Sequence, residues 1–191
     1  QTAGIANPNI LAGILGNVAA ESGRSQNYKA VGDDLASKRS MAGITSDSDP
    51  ETLRTSQKNS IKASIPTVAP QRPPSLYRSF GLIQWNVDGG EGARWLESAG
   101  LSQNSPSDKI DELLSLSNQV AQIKILADRT YGPAEVSRAA VANDDLATAA
   151  AYEWATEVEK FRDYQNPNNP SHQRRQRNAR EILNDPDLGL V

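Results

Sequence analysis

The 191-residue chain contains no cysteine and a single histidine, His172. Without cysteine there can be no disulfides, thiolate nucleophiles or thiolate metal sites. One histidine also argues against a histidine-based catalytic triad or a multi-histidine metal centre. Acid–base chemistry in this chain must therefore use carboxylates, and we expect neither a metal nor any other cofactor.

Long apolar runs and net positive charge are also lacking. No apolar stretch approaches the roughly 18 residues of a membrane span, and no signal peptide is visible. The net charge of −3 argues against non-specific nucleic-acid binding. The chain begins at Gln1 rather than Met, so we expect a processed or excised piece of a larger protein. Its length fits a single domain over residues 1–191.

The clearest positive feature is a helical pattern near the start of the chain. Asn7-Pro8 is typical of a helix start, with Asn as N-cap and Pro in the first turn. One face then collects the apolar residues Ile10, Leu11, Ile14, Leu15 and Val18. Glu21 continues this face, and Gly23 suits the left-handed residue that ends a helix. A carboxyl group is therefore expected at the last turn of a core helix.

The predicted position of Glu21 favours a protonated carboxyl. Burial disfavours the charged form and raises the pKa, and the partial negative charge of a helix C-terminus acts in the same direction. These conditions produce a general acid that works near neutral pH. The structural alternative is a glutamate at a helix end that pairs with an arginine.

The rest of the chain is predominantly helical in pattern, and no period-two strand pattern is sustained. Residues from about 35 to 75 are rich in Ser, Thr and Lys and end in four prolines, which predicts a long irregular insertion or lid. Asn143 caps a helix that continues through Trp154 to Val158. A last helix over residues 171–184 carries four arginines, and we expect His172 on its surface.

The arginines of the last helix have two interpretations. They could attract anionic wall polymers such as teichoic acids. Helix faces of mixed charge are more often solvated and internally paired, so pairing with acidic side chains is favoured. The candidates are Glu153, Glu157, Glu159 and Glu181.

Residues 81–85 form a second patch of interest, Gly-Leu-Ile-Gln-Trp. Sugars bind through amide hydrogen bonds and by stacking on aromatic rings, so Gln84 and Trp85 suit a glycan cleft. The alternative is a core tryptophan with a neighbouring glutamine in a turn.

Together these motifs resemble the phage tail lysozyme family, whose members are peptidoglycan-cleaving domains of phage tail and tail-like proteins. The resemblance rests on Gly-Ile-Leu-Gly-Asn at 13–17, Glu-Ser-Gly at 21–23 and Phe-Gly-Leu-Ile-Gln-Trp at 80–85. It continues at residues 94–96, 149–159 and 174–180, and covers nearly the whole chain outside the segment from about 35 to 75. It implies a mostly α-helical, lysozyme-like fold with a long irregular insertion.

The resemblance also implies roles for individual residues. Glu21 is the catalytic acid that protonates the glycosidic oxygen. Ser22, Gly81, Gln84 and Trp85 contribute to the sugar subsites. Glu159 is structural and pairs with an arginine under the cleft. The binding partners implied for the domain are peptidoglycan strands and the other domains of a tail-associated or secreted protein. The location is extracellular or on the virion.

A second carboxylate decides the mechanism. Asp33 and Asp34 are the nearest candidates, with Asp88 and Glu91 as outsiders, and Asp33 and Asp34 are equally explained as solvated turn residues. A lysozyme hydrolysing the β-1,4 bond between N-acetylmuramic acid and N-acetylglucosamine would use one of them. A lytic transglycosylase forming 1,6-anhydro ends needs Glu21 alone. A non-catalytic peptidoglycan-binding module remains a further alternative.

Overall fold

A computed structural model of the protein describes residues 4–22, 79–80, 85–86, 90–100, 112, 115–160 and 163–191. Contacts divide the chain into two compact units, one formed by Gln1–Gln26 with Val120–Val191 and the other by Asn27–Gln119. The described part is mostly helical, which confirms the predicted fold class. That the chain forms a single domain stays a prediction, and the segment at 35–75 lies outside the described residues.

Helix α1, Pro8–Ser22, opens the first unit and matches the predicted helix. The side chain of Asn7 caps it, because its Oδ1 accepts hydrogen bonds from the backbone N–H groups of Asn9 at 3.1 Å and Ile10 at 3.5 Å. Pro8 follows the cap, where its missing N–H leaves no helical hydrogen bond unmade. The N-terminus of α1 is thus determined by local sequence.

The rest of the first unit runs from Val120 to Val191. Helix α3, Leu116–Tyr131, begins in the second unit, and the short α4, Pro133–Ser137, comes next. Helix α5, Asp144–Trp154, continues into a π-helical turn, Ala155–Glu159, which ends at Lys160 in the left-handed conformation. Helix α6, Pro170–Leu183, is capped by Asn169.

Helices α1, α5 and α6 pack against one another and form the core of this unit. Two glycines of α1 allow the close approach. A Cβ at Gly13 would lie 2.8 Å from the backbone nitrogen of Ala151 on α5, and one at Gly16 would lie 2.7 Å from that of Ala179 on α6. Real side chains do not tolerate such distances, so these two positions require glycine for the observed packing. The core side chains Ile5, Ile14, Leu126, Trp154 and Leu183 are almost fully buried.

The second unit contains a pair of two-residue strands and one described helix of nine residues. Strand β1, Ser79–Phe80, pairs antiparallel with β2, Trp85–Asn86, so that Phe80 lies opposite Trp85. Helix α2, Gly90–Ser98, follows and buries Trp95. The strand pair encloses the tetrapeptide 81–84, whose residues lie outside the described part.

The surface position predicted for His172 is wrong. The side chain is completely buried, its Nε2 lies 2.6 Å from the backbone oxygen of Tyr164, and its ring packs on Tyr152 with centroids 4.5 Å apart. His172 lies three residues after the Asn169 cap and shares the inward face of α6 with Arg175 and Ala179. The first turn of this helix therefore faces the core.

Candidate active site

Arg175 connects the two glutamates that the sequence singled out. Its Nη2 donates a hydrogen bond to Oε1 of Glu21, and its Nε donates to Oε2 of Glu159 at 3.0 Å. A third bond runs from Nη1 to the backbone oxygen of Ser171 at 3.2 Å. Because only 2% of the Arg175 side chain is exposed, these interactions take place away from bulk water. The result is a site of one buried guanidinium and two carboxyl groups.

Close packing between α1 and α6 brings Glu21 to Arg175. A Cβ at Gly16 would lie 2.7 Å from the backbone oxygen of Arg175, which shows how closely the two backbones approach one another. Asn178 stabilises the contact between α1 and α6, because its Nδ2 donates a hydrogen bond to the backbone oxygen of Gly16 at 3.3 Å. Glu21 lies about 1.4 turns further along α1 than Gly16. The carboxyl group therefore comes within reach of the arginine.

Asn17 holds α1 against α5. Its Nδ2 donates to the backbone oxygen of Gly13 at 2.9 Å within α1 and to that of Ala151 at 3.0 Å on α5. The residue is completely buried, so these two bonds compensate for part of the loss of water. Gly13, Gly16 and Asn17 thus form the packing surface that carries Glu21.

Glu159 is the more buried of the two acids, with 4% of its side chain exposed. Its pKa is raised from 4.5 to about 8, chiefly because burial disfavours the charged form. Arg175 lowers this pKa by its charge and its hydrogen bond, and the charge of Glu21 raises it. Burial thus favours the protonated form of Glu159 despite its contact with an arginine.

The Trp154 indole also acts on Glu159, although without a hydrogen bond of normal geometry. Its N–H lowers the pKa of the Glu159 carboxyl, yet within the described residues neither Nε1 of Trp154 nor Oε1 of Glu159 has a hydrogen-bond partner. The interaction between the indole N–H and this carboxyl is therefore weak. Only one oxygen of Glu159, the one facing Arg175, is firmly held.

Tyr131 completes the aromatic side of the site. Its ring stacks on Trp154 with centroids 6.4 Å apart and an interplanar angle of 13°, and its hydroxyl donates to the backbone oxygen of Ala150 at 2.7 Å. Burial raises the pKa of Tyr131 well above its ordinary value, and the charges of Glu153 and Glu159 add to this. Tyr131 is therefore a neutral hydrogen-bond donor here.

Glu21 is the solvent-facing member of the site, since 17% of its side chain is exposed. Contact with a guanidinium favours the carboxylate, whereas the nearby Glu159 opposes a second negative charge. The arginine partner considered as the structural alternative for Glu21 is thus present, and it lies beside a partly exposed carboxyl. Such a group can exchange protons with a bound molecule while its contact with Arg175 fixes its position.

The other predicted site residues fall where side chains are not described. Ser22 is the last residue of α1, and Trp85 lies in β2 opposite Phe80. Asp33, Asp34, Gly81 and Gln84 lie outside the described residues. Their predicted roles stay predictions.

Sequence reasoning missed that one arginine contacts both Glu21 and Glu159. From the sequence we expected one of the four arginines of the last helix beside Glu159, without identifying which. For Glu21, pairing with an arginine was only the structural alternative. A signal was available in the spacing, because Arg175, Ala179 and Leu183 repeat every four residues on one face of α6. A charged residue on a buried face requires a partner of opposite charge.

A separate surface pocket of about 360 Å³ is lined by Arg129, Thr130, Glu153 and Glu157. Burial, and secondarily the charge of Glu157, raises the pKa of Glu153. Apart from Thr130 the lining side chains are largely exposed. This pocket does not include Glu21, so the buried arginine and its two carboxyls are the better candidate for catalysis.

The described residues contain no group of three or more His, Asp or Glu side chains that could hold a metal ion. Nor is any helix among them long and apolar enough to cross a membrane.

Among known protein families, a model described as phage tail lysozyme matches residues 4–185. The matched range contains Glu21, Glu159 and Arg175, and it confirms the resemblance noted from the sequence motifs. No curated protein and no solved structure matches the chain.

Proposed function

The chain belongs to the phage tail lysozyme family, and from this premise we propose that it cleaves peptidoglycan glycan strands with Glu21 as the general acid. The observation that carries the proposal is the position of the Glu21 carboxyl, which is partly exposed to solvent and held by a buried arginine. General acids require a fixed position and a tuned proton affinity. Arg175 supplies the first, and Arg175 and Glu159 together influence the second.

The proposed substrate bond is the β-1,4 linkage between N-acetylmuramic acid and N-acetylglucosamine. Glu21 donates its proton to the glycosidic oxygen as the bond from that oxygen to the anomeric carbon breaks. Water then adds to the anomeric carbon and returns a proton to the site, so that both products carry hydroxyl groups. In a transglycosylase the muramoyl 6-hydroxyl would add instead and give up its proton to the site, and the anhydro product would be lighter by one water than the product of hydrolysis.

The second carboxylate of a hydrolase must come from outside the buried site. An inverting enzyme needs a base roughly 6.5–9.5 Å from the acid, and a retaining enzyme needs a nucleophile at roughly 5–5.5 Å. Glu159 is poorly suited to either role, because it is almost fully buried and bound to Arg175. We therefore propose Asp33 or Asp34 for this role.

The substrate contacts proposed for this function are Ser22, Gly81, Gln84 and Trp85. An amide and an aromatic ring are the groups that bind the hydroxyl groups and the C–H face of a sugar. We also propose that the domain acts at the bacterial cell wall from outside, on a virion or in a secreted protein, joined to other domains.

The first test compares the wild-type protein with Glu21→Gln on purified peptidoglycan. We expect a loss of cleavage of about 10²-fold to 10⁴-fold, because a positioned general acid contributes that much, with an unchanged circular dichroism spectrum. Glu157→Gln is a matched control, since Glu157 is an exposed glutamate of the same unit, and it should cleave normally.

Mass spectrometry of the product ends separates the mechanisms. Free reducing ends support hydrolysis, and 1,6-anhydro ends identify a transglycosylase that uses Glu21 alone. Retained activity in Glu21→Gln would remove this residue from the mechanism. Binding without products from any wall preparation would identify a non-catalytic glycan-binding module.

A further inference from the structure

Glu21 and Glu159 reach the same buried cation from two different helical elements. Glu21 comes from the last turn of α1, Glu159 from the end of the π-helical turn, and Arg175 from the middle of α6. The Glu21 carboxyl accepts from Nη2, and Oε2 of Glu159 accepts from Nε and also lies 3.0 Å from Nη2. One positive charge can neutralise only one negative charge, so the two carboxyl groups compete for Arg175.

We propose that Glu159 is a positioning residue that allows Glu21 to keep its proton: the two glutamates hold one proton between them, and the carboxyl that takes the charge of Arg175 leaves the proton to the other. When Glu159 is the carboxylate, Glu21 is protonated and can act as an acid. When Glu21 is the carboxylate, Glu159 is protonated. This inference rests on the proposed function of Glu21.

Burial supports a single shared proton. Charged groups in a low-dielectric site require pairing, and a second unpaired carboxylate is costly there. Among the described residues, Arg175 from α6, Glu21 from α1 and Trp154 from α5 act on the Glu159 carboxyl, and Glu159 in turn raises the pKa of Tyr131 on α3. Arg175 is the only cation among these described groups. The raised pKa of Glu159, about 8, agrees with retention of one proton through neutral pH.

Proton exchange needs no direct path between the two acids. Arginine does not release a proton in proteins, so it cannot relay one from Glu159 to Glu21. Glu21 is partly exposed and can exchange its proton with solvent. Glu159 is buried, so in this proposal it gains or loses its proton more slowly, when the site opens. Two coupled acids of this kind titrate as a pair, and their apparent pKa values belong to the pair.

The first experiment measures the coupling without requiring activity. The side-chain carboxyl resonances of carbon-13-labelled glutamate are followed against pH in the wild-type protein and in Glu21→Gln. With Glu21 neutralised, Glu159 has Arg175 to itself, so we expect its apparent pKa to fall by at least one unit from about 8. An unchanged Glu159 titration would overturn the proposal.

The second experiment measures the pH profile of peptidoglycan cleavage for wild type, Glu159→Gln and the control Glu157→Gln. In Glu159→Gln the amide oxygen can still accept from Arg175 but carries no charge. Glu21 then alone neutralises the arginine, and the alkaline limb of the profile should move to lower pH by about one unit or more. The Glu157→Gln profile should match wild type.

The two experiments separate this inference from the proposed function. A folded Glu159→Gln variant with reduced rate but an unmoved alkaline limb would show a merely structural role and overturn the proposal. Coupled titration in a protein that cleaves no peptidoglycan would support the shared proton while rejecting catalysis by Glu21. Should Glu159→Gln not fold, the Glu21→Gln titration decides the question by itself.

Discussion

At the scale of single residues, the arrangement of the site depends on Arg175. Burying a guanidinium is unfavourable unless carboxylates or other acceptors compensate, and Arg175 has Glu21, Glu159 and the Ser171 oxygen. Removing a carboxyl partner of Arg175 leaves part of its buried charge without compensation. Replacing the exposed Glu157 by the neutral glutamine should change the stability of the protein little. For this reason the test of Glu21 uses glutamine, which keeps the shape and the hydrogen-bonding capacity of the side chain.

Gly16 is a residue at which steric contact should outweigh helix propensity. In a helix interior, Gly→Ala normally stabilises by roughly 0.5–1 kcal/mol. A Cβ at Gly16 would instead lie 2.7 Å from two backbone atoms of α6. We expect Gly16→Ala to lower the free energy of unfolding by about 1–3 kcal/mol, as measured by urea titration.

The sign of the change tests this account of Gly16. Destabilisation with reduced peptidoglycan cleavage is expected, because α1 moves away from α6 and separates Glu21 from Arg175. A stabilised variant would mean that the two helices do not approach as closely as the structure shows.

At the scale of elements, the π-helical turn distinguishes α5 from a regular helix. The sequence predicted a helix continuing to Val158, but the regular α5 ends at Trp154, and residues Ala155–Glu159 form the wider turn. π-Helical turns are rare and often occur at functional sites. Here the turn buries Ala155 and Val158 and delivers the Glu159 carboxyl to Arg175.

The N-terminus of α5 offers a test of an element determined by local sequence. The side chain of Asn143 accepts from the backbone N–H groups of Asp145 at 2.9 Å and Leu146 at 3.0 Å. We expect Asn143→Ala to destabilise the protein by about 0.5–2 kcal/mol. Asn143→Asp should recover most of this loss in the same urea titration, because aspartate caps equally well. Equal losses in both variants would contradict a capping role.

At the scale of the whole molecule, the site exists only because the chain ends come together. Glu21 and Arg175 are separated by 154 residues in sequence and meet through the packing of α1 on α6.

The burial of Glu159 should make the stability of the protein depend on pH. The unfolded chain ionises Glu159 near 4.5, whereas the folded protein holds the proton until about pH 8.

The sign of this dependence follows from proton binding. Between pH 4.5 and about 8 the folded state binds more protons at Glu159 than the unfolded state does, so this contribution is complete below the unfolded pKa and is lost as the pH rises. Relative to Glu159→Gln, wild type should lose up to about 1.4 kcal/mol per pH unit in this window. Urea unfolding from pH 5 to 8 measures the difference, and parallel curves would show that Glu159 is not protonated in the folded protein.

The sequence by itself determined the helical class, the course of α1 and the caps at Asn7 and Asn143. These features depend on side-chain periodicity and on hydrogen bonds between residues two or three apart, which are present in the local sequence. The same periodicity placed Glu21 on the inward face of α1, and the motifs at 13–17, 21–23 and 80–85 indicated the family.

Only the tertiary structure decided which arginine meets Glu21, that Glu159 shares it, and that His172 is buried. Each of these depends on contacts between distant segments, and the decisive approach is made by Gly13 and Gly16, whose missing side chains produce no periodic signal. The raised pKa of Glu159 likewise has its cause in burial and in charges from other helices. A carboxyl group's neighbours are set by folding, because proximity in space, rather than spacing along the chain, governs electrostatic interaction.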